Sequence, residues 1–124
     1  MKNRTTKIAV VDDDQYFVKD LSQAVQVAGF EAVSIVVSMN TSINQVLKKI
    51  NGCQLVLLDH QMHMFSGAEV ARLIPKDITL VTTSDHKAID AYCTYRLLGK
   101  YEHPFPLKEV AHLIIQMVKV HKAQ

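Results

Sequence analysis

Asp12-Asp13-Asp14 directly follows the apolar run Ile8-Ala9-Val10-Val11, and a second apolar run, Leu55-Val56-Leu57-Leu58, ends on Asp59. Continuous apolar runs of this length suit strands buried on both faces of a parallel sheet. Such sheets place their ligand sites beyond the carboxyl ends of the strands. Carboxylates gathered there repel one another unless a cation sits among them, and hard oxygen donors that leave room for water and phosphate oxygen suit Mg²⁺. A single Asp after a strand reads as a helix N-cap or a turn former. The same residue type at the ends of two strands reads as a site.

Imidazole favours Zn²⁺, Ni²⁺ or Cu²⁺ over Mg²⁺, so His60, His63, His86 and His103 offer a softer alternative if they join the aspartates. As residues of polar loops they read instead as solvent-exposed, with His103 alone near the acidic pocket. Met62 and Met64 flank the loop after Asp59, where one of them packs. Cys53 and Cys93 lie in or beside apolar segments and form no CxxC pair, which suits buried free thiols.

Elements that position these residues are punctuated by caps and glycines. Phe17, Leu21, Ala24, Val25 and Ala28 recur at helical spacing up to Gly29, and the β-branched stretch from Glu31 to Val37 reads as strand. Ser42 with Gln45 forms a capping box that opens the helical stripe Ile43, Val46, Leu47, Ile50, closed by Asn51-Gly52. Ser66 with Glu69 forms another, opening a short helix that Pro75 stops before the strand Ile78 to Thr82. Ile89, Tyr92, Cys93 and Leu97 predict a helix ending at Gly99, followed by a brief strand through Tyr101. Leu107, Val110, Ala111, Ile114 and Val118 stripe the last helix.

Five strands thus alternate with five helices. The pattern implies α/β architecture, a three-layer doubly wound sheet of parallel strands with right-handed crossovers. In the order 2-1-3-4-5, strands one and three are neighbours at the topological switch point, where Asp12, Asp13 and Asp59 converge. At 124 residues, 1–124 is expected to be a single domain. A net charge of +2, from 14 Lys and Arg against 12 Asp and Glu, advertises neither nucleic-acid nor membrane binding. With no signal-peptide pattern and no apolar run of membrane-spanning length, the expected location is cytoplasmic.

With an acidic pair after the first strand, an Asp ending the third, a hydroxyl ending the fourth and a Pro-Phe step after the fifth, the chain resembles response-regulator receiver domains. The segment Asp59-His60-Gln61-Met62-His63-Met64-Phe65-Ser66-Gly67 is similar to the family pattern D-x-x-M-P-x-M-D/S-G in its Asp, first Met, small polar residue and Gly. The resemblance implies phosphorelay signalling in which Asp59 accepts a phosphoryl group from a histidine kinase or phosphotransfer protein. It implies Mg²⁺ bound by Asp12, Asp13, Asp59 and the backbone carbonyl of Gln61, with Asp12 acting partly through water. Thr82 takes the place of the hydroxyl that reads the phosphoryl group, with Thr83 as its alternative. The last two helices and the fifth strand become a surface for partners or a homodimer. The protein would then be a phosphoryl acceptor with at most self-phosphorylation and self-dephosphorylation, not an enzyme on other substrates.

Departures from the family are equally specific. His103, in His103-Pro104-Phe105, stands where the family carries Lys, and Lys100 stands where it often carries Tyr or Phe. A shorter, part-time cation alters phosphoryl recognition, and a long ammonium in place of a swinging ring weakens coupling to output. His63 replaces the family's Pro, Phe65 its second Met, and the short third helix suggests a deletion. These changes leave a second reading open, a phosphorylation-independent pseudo-receiver acting as an interaction or dimerisation module. A flavin-binding flavodoxin-like domain needs a phosphate-cradling loop after the first strand, which Asp12-Asp13-Asp14 would repel. No DNA-binding, cyclase or phosphodiesterase segment follows, so any output domain is expected outside this chain.

Overall fold

The computed structural model describes residues 6–97 and 104–123. In chain order the elements are β1 (Lys7–Asp12), α1 (Gln15–Val27), β2 (Glu31–Val36), α2 (Ile43–Ile50), β3 (Leu55–Leu58), α3 (Gly67–Ala71), β4 (Thr79–Thr82), α4 (Lys87–Asp90), β5 (Tyr95–Arg96) and α5 (Leu107–Ala123). All ladders are parallel, in the order β2-β1-β3-β4-β5. The reversal of direction at β1 and β3 is the switch point read from the sequence.

Helices begin where side chains satisfy their first N–H groups. Asp14 caps α1 by accepting from the N–H groups of Tyr16 and Phe17, and α2 and α3 both open with complete capping boxes, Ser42 with Gln45 and Ser66 with Glu69. The chain leaves α1 through Gly29 at φ 96°, a left-handed conformation that costs glycine nothing.

Alternation along the central strands divides the core into two layers. Ile8, Val10, Leu55, Leu57 and Val81 face α1 and α5, meeting Phe17, Leu21, Val25, Val110 and Ile114. Ala9, Val11, Val56, Leu58 and Leu80 face the other way, against Val46 and Ile50 of α2, Val70 and Ala71 of α3, and Ile89 of α4. Each large side chain so buried contributes about 1.5–3 kcal/mol relative to exposure, which holds the strand ends, and the aspartates on them, in fixed register.

The fourth helix and fifth strand differ from the sequence expectation. Helix α4 stops at Asp90, and β5 forms at Tyr95–Arg96, inside the segment that reads as helix. The Thr94 and Leu97 N–H groups donate to the carbonyls of Leu80 and Thr82 at 2.9 and 2.8 Å, so ladder bonds to β4 override the helical period. Ile89 and Leu97, read as one stripe, pack on opposite faces of the sheet. The expected helix end at Gly99 and strand at Tyr101 lie outside the described residues, as do Lys100 and His103.

Candidate functional site

Carboxylate oxygens of Asp12, Asp13 and Asp59 lie within 4.8 Å of one another at the carboxyl edge of the sheet, the one such cluster among the described residues. Parallel pairing puts them there, since Val11 is opposite Leu58 and the Asp59 N–H continues the ladder by donating to the Val11 carbonyl at 3.1 Å. Asp12 and Asp59 are buried, while Asp13 is partly exposed. Asp12 Oδ1 also accepts from the Asp14 N–H at 3.0 Å, which turns the chain into α1. Oxygens bound to one Mg²⁺ at about 2.1 Å stand roughly 3–4.2 Å apart, so this hard donor set fits the ion with a small inward movement or one ligand acting through water.

Beside the trio opens a cavity of about 360 Å³ lined by Asp59, His60, Gln61, Thr83, Ser84, Asp85 and His86. Ser84 is its central link and is not among the residues the sequence singles out. Its hydroxyl donates to Asp59 Oδ1 and accepts from the His60 N–H at 3.0 Å, tying the β4–α4 loop to the β3–α3 loop. Thr82 is wholly buried, and its hydroxyl donates to the Ser84 carbonyl at 3.1 Å and accepts the Ser84 N–H at 3.0 Å. Thr82 therefore shapes the loop, whereas Thr83, the alternative hydroxyl, lines the cavity with Asp59. Alternation along the strand sends the two side chains to opposite faces.

Of the loop histidines, His63 and His86 are exposed as expected, whereas His60 departs from the expectation. His60 is 7% exposed, its ring lying on that of His86 at a centroid distance of 4.0 Å and a tilt of 30°. Burial, then the neighbouring His86, pulls the His60 imidazole below its usual pKa, with the charge of Asp59 opposing. His63 Nε2 stands 3.8 Å from Asp13 Oδ2. The loop after β4 folds over the loop after β3, which brings His86 onto His60 and both onto the cavity. His103, the histidine expected nearest the pocket, lies outside the described residues.

Gly67 lets these loops meet. Its N–H donates to the His60 carbonyl at 2.6 Å, and an added Cβ would lie 2.1 Å from the Asp59 carbonyl oxygen. Gln61 pairs with Ser66 in an isolated antiparallel bridge that closes the same loop. On the far side of the cavity Arg96, at the end of β5, binds Asp85 Oδ1 through Nη1 at 3.2 Å and Asp90 Oδ2 through Nη2. This clamp also escapes sequence reasoning, because Arg96 falls inside what reads as helix.

No family model and no curated protein matches the chain. Solved structures do. A CheY-like receiver domain protein of Methanospirillum hungatei JF-1 is 18% identical with a TM-score of 0.69, the match covering 97% of this chain and 98% of that one. TrrA of Thermotoga maritima, determined in complex with Mg²⁺ and beryllofluoride, is 24% identical with a TM-score of 0.66 over 90% of this chain and 98% of its own. CheY4 of Vibrio cholerae is 20% identical with a TM-score of 0.65, covering 93% and 99%. At such identities the likeness is one of fold, and by strand order, layers and coverage alike this chain has the fold of response-regulator receiver domains.

Proposed function

We propose that the protein is a receiver in two-component signalling, in which Asp59 accepts a phosphoryl group from a histidine kinase or phosphotransfer protein in the cytoplasm. The observation that supports it is the convergence of the Asp12, Asp13 and Asp59 oxygens within 4.8 Å beside a cavity lined by hydroxyls. Transfer needs an aligned carboxylate nucleophile and positive charge on the equatorial oxygens of phosphorus. An oxygen of Asp59 forms the new bond to phosphorus while the bond to the donor's nitrogen breaks, its electron pair leaving with the imidazole. Asp12, Asp13, Asp59 and the Gln61 carbonyl would hold Mg²⁺, which when bound supplies that positive charge. Thr83 lines the space for the phosphoryl oxygens, and Ser84, hydrogen-bonded to Asp59, is the group that feels the carboxylate become an acyl phosphate.

Lys100 and His103 would tune recognition and output in the same reading. Output is proposed to pass through the last two helices and β5, the surface for a partner or second copy. No helix among the described residues is long and apolar enough to cross a membrane. The protein acts as a phosphoryl acceptor, turning over no substrate beyond its own aspartyl phosphate.

Intact-mass measurement after treatment with acetyl phosphate, with and without Mg²⁺, tests the proposal. One phosphoryl group should add only when Mg²⁺ is present, and Asp59→Asn should take none. No added mass at any Mg²⁺ concentration, or equal labelling of Asp59→Asn, would establish the phosphorylation-independent interaction module instead.

A further inference from the structure

Two residues that line the cavity beside Asp59 each carry a buried polar atom with no hydrogen-bond partner among the described residues, His60 Nδ1 and Thr83 Oγ1. Buried polar groups almost always find partners, so two such orphans beside one carboxylate call for a ligand that supplies both bonds. His60 is 7% exposed and Thr83 4%, and both line the cavity whose third wall is Asp59. The cavity, about 360 Å³, is roomy enough for a phosphoryl group and a water together.

Resting on the reading of Asp59 as phosphoryl acceptor, we propose that His60 Nδ1 and Thr83 Oγ1 hold the water that hydrolyses the Asp59 acyl phosphate, so that His60 sets how long the phosphorylated state lasts. The water donates one hydrogen to each atom, which leaves an oxygen lone pair free to face phosphorus. Its oxygen bonds to phosphorus as the bond from phosphorus to the Asp59 oxygen breaks, and that electron pair restores the carboxylate. Both hydrogens of the water leave on the phosphate as dihydrogen phosphate, which then equilibrates with solvent. The His86 ring lies against that of His60 at a centroid distance of 4.0 Å and is part of the same wall of the cavity.

The test loads the protein with acetyl phosphate and Mg²⁺, removes the donor by desalting, and follows loss of the phosphoryl group by intact mass. His60→Phe keeps the ring and its stacking but removes the nitrogen, and should lengthen the phosphorylated lifetime by about tenfold, the scale of losing one positioning contact. His60→Asn returns a hydrogen-bonding atom and should recover most of the native rate, which a purely structural role would not predict. Thr83→Val should slow the loss as well, and the double variant should add little, since both groups hold one water. Beryllofluoride binding should be the same for His60→Phe and the native protein. A lifetime for His60→Phe within about twofold of native, or a loss of beryllofluoride binding alongside, would overturn the assignment. Should His60→Phe fail to fold, His60→Leu, which also removes the ring nitrogens, is put to the same comparison. Failure of Asp59 to load at all would sink the acceptor reading, and this inference with it, whereas full loading with an unchanged lifetime sinks the inference alone.

Discussion

Gly67 records how little room the site leaves. A methyl group there would stand 2.1 Å from the Asp59 carbonyl oxygen and 2.6 Å from the Ile89 side chain, so backbone as well as side chain must give way. Gly67→Ala should cost about 1–3 kcal/mol in urea unfolding, the range for overpacking a closed space, and should weaken the proposed Mg²⁺ binding by shifting Asp59. A stability change under about 0.5 kcal/mol would mean that the loops around Asp59 yield freely. Much of the site at this scale was legible in the sequence. Asp12, Asp13 and Asp59 stand out because carboxylates end two separate apolar runs, and strand register then brings them together. Ser84 and His60 were not legible. A lone histidine in a polar loop reads as exposed, and its burial arises only when the segment carrying Ser84 and His86 folds across it. That Thr82 bonds the Ser84 backbone while Thr83 lines the cavity follows the phase of a strand whose ends sequence alone does not settle.

Helix α4 and strand β5 are where sequence periodicity misleads at the scale of elements. Ile89, Tyr92, Cys93 and Leu97 have helical spacing, yet Tyr92 is 43% exposed and Leu97 packs on the far face of the sheet. Two backbone bonds to β4 outweigh a stripe with so little apolar surface to bury. What holds the four residues of α4 in place is then partly electrostatic, through the Arg96 clamp on Asp85 and Asp90. Because the Arg96 side chain is 40% exposed and that of Asp85 85%, the clamp contributes little to global stability. Arg96→Met should therefore lower unfolding free energy by less than about 1 kcal/mol, while amide exchange across Lys87–Asp90 quickens several-fold. Unchanged exchange in α4 would show that the buried Ile89 side chain alone anchors the helix.

Across the whole molecule, the strand order and three layers follow from alternation of elements and the handedness of crossovers, and the structure has both. Capping boxes at Ser42 and Ser66 and the left-handed Gly29 mark element ends well, because they act within a few residues of chain. Contacts between distant segments, such as Arg96 with Asp85 or His86 with His60, leave no periodic trace in the sequence. Those ladders are also unequal. β1 and β2 share six register pairs, β4 and β5 two. A chain assembling this sheet must close loops to join β1 to β2 and to β3, and each closure is repaid by a buried ladder; the last closure, to β5, is repaid by almost none. In a refolding pulse, amides of β1 and β3 should gain protection before those flanking β5, and simultaneous protection would argue against staged assembly. Time thus divides the proposed site. Its acids end β1 and β3, whereas its Thr83 and Ser84 hydroxyls follow β4, the strand that β5 joins by only two register pairs, so under staged assembly a chain caught midway through folding would own the acidic trio before the hydroxyls beside it are fixed.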